Sequence, residues 1–387
     1  MAMRTLNINS LCLLLYCCIV LLPWSPAVSW LLGVNNKIVF SVLLVAYLLV
    51  SAINFRINKV LFLFVLCFLL VSLFLALVGE KLSLFAALLG FPLSLLVTQH
   101  FFRLSRVEEL VDWFSWFSVV AVVMSCVGLA YSLLGGEAML AISNHDGRDN
   151  FLFLTTFSNA QLGGIIRPSF IYDEPGALSF VLIFTAVIRE LSGRSKINTL
   201  YLLVMGMVTF SLTHLIILVI YVLVAFRGRS GFTFGVLFIG ALVLISLSVD
   251  FFKPFVDRVH LFVSGGENNR SIQMANFFDN ADVEELFWVG VTDCSDPVVC
   301  GQKYGDMTSN PMSVFFGKGV LGLLVQAFFY FFFIFSFVRY RLFFPALAMV
   351  VLISQRPFFT AVGYSTMMVF VVFHVLFVQA RAVKNDC

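Results

Sequence analysis

The sequence predicts an all-α fold: a polytopic transmembrane helical bundle of about 12 helices with two elaborated loops on one side. Three observations carry this. The chain is 61% hydrophobic and 12% charged, with a mean hydropathy of +1.01, whereas soluble globular chains carry roughly 25% charged residues. Its apolar residues fall in runs approaching the ~20 residues that a helix needs to cross a bilayer. Lysine and arginine gather in alternate segments between those runs, as they do in cytoplasmic loops. Backbone groups in lipid must be satisfied within their own segment, so the runs are helices. A barrel strand would alternate in polarity, and residues 61–78 do not.

The first run, 11–32, contains Pro23 and Pro26. No small-x-small cleavage site follows a short apolar core, so it reads as a first helix rather than a removed signal. Further helices are expected at 38–53, 60–78, 82–98 and 113–135, then at 176–191 beyond a hydrophilic stretch. Residues 197–226 form either one long helix or two short ones, 197–210 and 213–226, because Thr209, Ser211, Thr213 and His214 interrupt the run. The last runs are 232–250, 313–338, 341–353 and 358–380.

Charge chooses between the two readings of 197–226. With Arg4 inside and two crossings there, fourteen basic residues fall in the cytoplasm. The short outer loops hold three: Lys37, Lys81 and Arg356. A single long helix would invert one half of the chain and destroy this segregation. Both termini are then cytoplasmic, and two long loops, about 136–175 and 251–312, lie outside. No Gly/Ser-rich linker or internal repeat divides the chain, so residues 1–387 read as one integral membrane domain. The basic residues are scattered over separate loops, which excludes a nucleic-acid-binding face.

Cys12, Cys17, Cys18, Cys67 and Cys126 lie in helices as small packing residues. Cys294 and Cys300 lie in the second outer loop, where a disulfide would pin a small sub-loop. No second ligand pair accompanies them, so zinc is not expected.

Three segments could carry chemistry. Residues 167–177, Arg-Pro-Ser-Phe-Ile-Tyr-Asp-Glu-Pro-Gly-Ala, lead into a helix with Pro175 in its first turn. Asp173 and Glu174 alone could simply decorate a helix N-terminus. Arg167 and Glu174, seven residues apart across a Pro-bounded turn, read as a site. The second segment, 257–271, sets Arg258 and Arg270 on either side of the Gly265–Gly266 turn. Guanidinium forks suit phosphate oxygens, although headgroup-facing arginines would look the same. The third joins Leu286-Phe-Trp-Val-Gly-Val to Asn310 and the Gly317, Gly319 and Gly322 series, where tight backbone approach is expected. Two histidines lie within apolar runs. His374 reads as a packing residue, whereas His214, at the outer turn of the short hairpin, is a candidate base.

The order of these segments resembles the Wzy-type O-antigen and polysaccharide polymerases, relatives of the O-antigen ligases. An Arg…Glu-Pro-Gly helix start is followed by a Ser-bearing break at Thr209-Phe-Ser-Leu-Thr, then by paired arginines in a large outer loop, Leu-Phe-x-x-Gly, and an Asn before a Gly-rich helix. The resemblance covers about residues 165–325. It implies a GT-C-like multi-pass enzyme of the bacterial inner membrane, with its site facing the periplasm, acting in lipopolysaccharide biosynthesis. Such an enzyme transfers a growing glycan from undecaprenyl pyrophosphate onto a new lipid-linked repeat unit. It uses no metal or other cofactor and can work with a chain-length regulator. By this resemblance Glu174 and Arg270 are catalytic, with His214 a further candidate base, and Arg167, Arg258, Tyr172 and Asn310 bind substrate. The sequence has no Asp-x-Asp cluster suited to a divalent ion. Ser309 stands where the ligases place a histidine, which argues against the ligase alternative. A flippase or other transporter would place ionisable residues along a central cavity, and the apolar runs hold few.

Overall fold

A computed structural model describes residues 8–22, 25–33, 36–52, 55–78, 85, 88–143, 149–162, 164–226, 228, 233, 256, 275, 279, 287–288, 312–356 and 362–376. The expected helix 232–250, and Arg258, Arg270, Asn310, Cys294 and Cys300, lie outside the described residues. The described chain is mostly helical and forms two compact units. One comprises Met1–Asp112, Asn276–Phe335 and Ile353–Cys387; the other comprises Trp113–Ala275 and Ser336–Leu352.

The first unit begins with α1 (Ile8–Leu21), α2 (Pro26–Leu32), α3 (Asn36–Ser51), α4 (Lys59–Val78) and α5 (Gly90–Arg103). The single helix expected over 11–32 is two helices bent by 105°. Pro26 opens α2, where a missing N–H costs nothing, and the Ser25 hydroxyl accepts from the Val28 N–H at 3.3 Å. Near its C-terminal end the chain contributes α10 (Ser313–Tyr340), α11 (Phe343–Gln355) and α12 (Val362–His374), with α6 to α9 in between. α5 packs on α12, where the Ser94 and Thr366 hydroxyls lie 3.0 Å apart. α1 joins them through Tyr16, which stacks on Phe101 at 4.3 Å and bonds Thr98 at 3.0 Å. Tyr47 of α3 bonds His100 Nδ1 at 2.8 Å. Hydroxyls thus meet partners inside an apolar interior, where an unmet one would cost a kcal/mol or more. The five helical cysteines are free thiols.

Gly319 interrupts α10 with φ 59° and ψ −153°. A Cβ there would stand 2.7 Å from the Trp288 carbonyl oxygen and 2.8 Å from that of Phe287. The backbone of Phe287 and Trp288 therefore packs directly on Gly319. Gly322 is equally close to Val314, whereas Gly317 has open space.

The second unit contains most of α6 (Val107–Leu133), then five strands, then α7 (Pro175–Leu191), α8 (Lys196–Met205) and α9 (Leu212–Ala225), together with most of α11. The strands lie within the first long loop, where no strand is expected. β1 (Leu140–Ser143), β2 (Asp149–Phe153) and β3 (Thr156–Ser158) form an antiparallel sheet; β4 (Gln161–Leu162) and β5 (Ile165–Ile166) form a small hairpin. The sheet is fixed to α6 by the Thr155 hydroxyl, which donates to the Met124 carbonyl at 2.6 Å. At Gly128 a Cβ would strike Thr156. α7 is the core of this unit, with every residue from Pro175 to Ile188 buried. Phe184 meets Phe114 of α6, and Thr185 bonds Ser118 at 2.9 Å.

Residues 197–226 reverse direction. α8 ends in a 3-10 turn, Gly206–Thr209, and Phe210 takes the left-handed conformation at φ 47°. α9 then returns along α8. His214 Nε2 bonds the Leu203 carbonyl at 2.8 Å, the Tyr221 hydroxyl donates to Lys196 O at 2.9 Å, and Lys196 Nζ donates to Ala225 O at 3.4 Å. The arm Lys196–Thr209 spans roughly 20 Å at ~1.5 Å per residue, less than a ~30 Å hydrocarbon core. The depth of insertion does not affect sidedness, because a hairpin returns both ends to the same face.

Among the described residues, three helices are long and apolar enough to cross a membrane: Lys59–Val78, Val107–Leu133 and Ser313–Tyr340. α1 and α2 would make a fourth if they form one span, and five shorter apolar helices accompany them. Only 22% of the apolar window of α4 is buried. Val60, Leu63, Phe74 and Val78 stand exposed along it, a surface suited to lipid.

Two outcomes test this arrangement. Single cysteines at Arg194 and Gly228, in a chain stripped of its other cysteines, should label from the same face of sealed vesicles; labelling from opposite faces would refute the hairpin. A Cβ at Gly206 would lie 2.4 Å from the His214 ring, so Gly206→Ala should lower stability by about 1–3 kcal/mol, read as a lower thermal midpoint in nanodiscs.

Candidate functional site

The segment before α7 is held by its own backbone. The Phe157 N–H donates to Phe170 O, and the Ser169 N–H to Phe157 O, both at 2.8 Å. The Thr156 hydroxyl accepts from the Phe170 N–H at 2.8 Å. The Tyr172 N–H closes a turn onto Ser169 O at 3.0 Å. Strand β3 therefore anchors residues 169–172 and fixes where Glu174 begins α7. Pro175 takes the first helical position, and Glu174, extended at φ −148°, is the N-cap residue.

The Arg167 guanidinium donates through Nη2 to the Phe210 carbonyl at 3.1 Å. Arginine and hairpin tip are thus joined, and the tip is the left-handed residue. An L-residue in that conformation costs roughly 1–2 kcal/mol, and here it turns the Phe210 carbonyl toward a cation.

α7 and α9 run parallel. α8 is antiparallel to α9 by the three bonds above, and it meets the C-terminal end of α7 where Arg189 Nε donates to the Thr199 hydroxyl at 3.2 Å. The parallel pair is joined where Ser179 Oγ lies 3.2 Å from His214 Nδ1. Their N-termini, at Pro175 and Leu212, therefore sit at the same end. Neither N-cap side chain, Glu174 or Ser211, bonds its own first turn. Each helix N-terminus carries about half a positive charge on its N–H groups. The N–H groups of these two ends and the Arg167 guanidinium form a mouth of hydrogen-bond donors of the kind that binds phosphate, with the carboxylates of Asp173 and Glu174 and the last carbonyls of α8 at the same end.

His214 stands just after the hairpin turn, as expected. It is fully buried. The Leu203 carbonyl can only accept, so Nε2 carries the proton and Nδ1 accepts from Ser179. Both ring nitrogens are used in fastening α8, α9 and α7 together, which is a positioning role rather than that of a base open to substrate. The Tyr172 side chain has no exposed surface and lies in the core. Arg167, Asp173 and Glu174 are half-buried at the surface of this end. Three features were not singled out from the sequence: the Phe210 carbonyl, Ser179 and the Leu203 carbonyl. A serine five residues inside an apolar helix was the only signal available for any of them.

The larger cleft, about 340 Å³, lies around Arg189 and Asn198 at the opposite end of α7 from Glu174, and its lining includes the exposed apolar side chains Val119, Val123, Tyr201 and Met205. It is remote from the mouth. No known protein family, curated protein or solved structure matches this chain.

The Ser179–His214 bond should be measurable by a double-mutant cycle. Ser179→Ala, His214→Ala and the pair should show a coupling of about 1 kcal/mol in thermal stability; strictly additive losses would show that the bond contributes nothing.

Proposed function

We propose that this chain is a membrane glycosyltransferase acting on lipid-pyrophosphate-linked glycans at the outer face of the membrane. More narrowly, it is a repeat-unit polymerase of the O-antigen type, built on about twelve crossings in a GT-C-like arrangement. The observation that carries the reading is the mouth formed by Arg167 with the uncapped N-termini of α7 and α9. The order of sequence segments that resembles the polymerases supports it.

The chemistry follows from the charges. The acceptor sugar hydroxyl attacks the anomeric carbon of the donor glycan, forming the new C–O bond as the bond to undecaprenyl pyrophosphate breaks. The electron pair leaves with the pyrophosphate. Arg167 and the two helix N-termini stabilise that developing charge from fixed positions, and fixed donors need no reorganisation as the bond breaks. Glu174, on the same rim, takes the proton from the attacking hydroxyl. Arg258 and Arg270, in the second outer loop, add charge-assisted contacts to the donor or acceptor pyrophosphate, and Asn310 contacts the glycan. The growing chain returns to the enzyme as donor for the next unit, and a chain-length regulator sets when it leaves.

The test is reconstitution in nanodiscs with lipid-pyrophosphate-linked repeat units, in buffer containing EDTA, with products resolved as a ladder. Wild type should extend chains. Arg167→Ala should slow extension about 10²–10³-fold, as expected for loss of a fixed charge-stabilising donor, and Glu174→Gln should slow it as well. A wild-type ladder from both variants would end this assignment.

A further inference from the structure

The β-structure of the first long loop contains a cleft that the pyrophosphate chemistry does not use. It encloses about 190 Å³ and is lined by Phe151, Phe153, Ser158, Asn159, Gln161 and Ile166, among others. Phe151 and Phe153 lie two residues apart on β2, so their rings share one face of the sheet. Phe151 is 40% exposed, so part of its ring is open to a ligand in the cleft. The carboxamides of Asn159 and Gln161 make no hydrogen bond among the described residues, and each offers both donors and an acceptor. No ionisable side chain lines the cleft, so it is not built for phosphate.

A pyranose ring matches this lining. Its C–H faces are apolar and pack on aromatic rings, while its rim of hydroxyls needs mixed donors and acceptors. We propose that this cleft holds one uncharged sugar ring of the glycan, as a subsite beside the pyrophosphate mouth. The proposal rests on the glycan-transferring reading above. The two sites are adjacent in the chain. Ile166 lines the cleft and the next residue is Arg167, whose backbone N–H donates at 3.0 Å to the carbonyl of Ala160 in the cleft wall. A sugar seated against Phe151 would therefore grip the β4–β5 hairpin, which leads directly into the arginine.

The probe is a lipid-free oligosaccharide, released by mild acid from the source organism's own lipid-linked repeat units, titrated against the full chain in nanodiscs by saturation-transfer NMR. Wild type should transfer saturation to the sugar C–H protons. Phe151→Ala should weaken binding about five-fold or more, the scale of one lost aromatic contact. Gln161→Ala, an exposed position, tests the same cleft without touching the sheet and should weaken binding in the same direction. Arg167→Ala should bind within two-fold of wild type, because this probe carries no pyrophosphate. The proposal is overturned if wild type shows no transfer, or if Phe151→Ala and Gln161→Ala both bind like wild type. The two readings fail separately. Sugar binding lost in these variants, with no chain extension by wild type, removes the polymerase and keeps the cleft. Extension at wild-type KM by both cleft variants removes the cleft and keeps the polymerase.

Discussion

A chain that enters a membrane must settle, at each apolar run, whether it comes out on the far side or the near one. Here the decision that governs the others is made between Met205 and Leu212. The 3-10 turn and the left-handed Phe210 send α9 back along α8, and His214 fastens the returning helix to Leu203 on one side and Ser179 on the other. Because the arms reverse, the arginines and lysines before and after them face the same compartment.

The same reversal sets the electrostatics of the outer end. Adjacent antiparallel helices cancel each other's dipoles, and an up-down bundle shows no net polarity at either end. α7 and α9 escape cancellation at this end because α8 lies between them in sequence and runs the other way. Their N-termini coincide, and Arg167 reaches the hairpin tip between them. These donors are held by backbone geometry and a single side chain, both backed by a helix buried along nearly its whole length.

Much of this was legible in the sequence. The bounds of α3, α4 and α7 follow their apolar runs within a few residues, because a long apolar run leaves a hydropathy signal that needs no partner. The hairpin was visible in its polar interruption and in the charge that would otherwise be misplaced. The role of His214 was not, because a histidine at a turn and a histidine inside a latch are the same letter. The sheet was hidden by an inverted pattern: β2 buries Asn150 and leaves Phe151 exposed, so alternation pointed nowhere. The left-handed residue was hidden because it is phenylalanine, where glycine would have announced it.

The burial of α7 has a consequence for how the protein is made. A helix covered on all sides must be covered by something, and part of the cover of α7, the α8–α9 hairpin, is synthesised after it. While the ribosome is still translating α8, Thr185 and one nitrogen of Arg189 already have Ser118 and Ser115 of α6 as partners. The Ser179 hydroxyl and Arg189 Nε still await His214 and Thr199. The packing of α7 against the hairpin is therefore closed only when residue 214 has emerged and the returning helix locks onto Leu203 and Ser179.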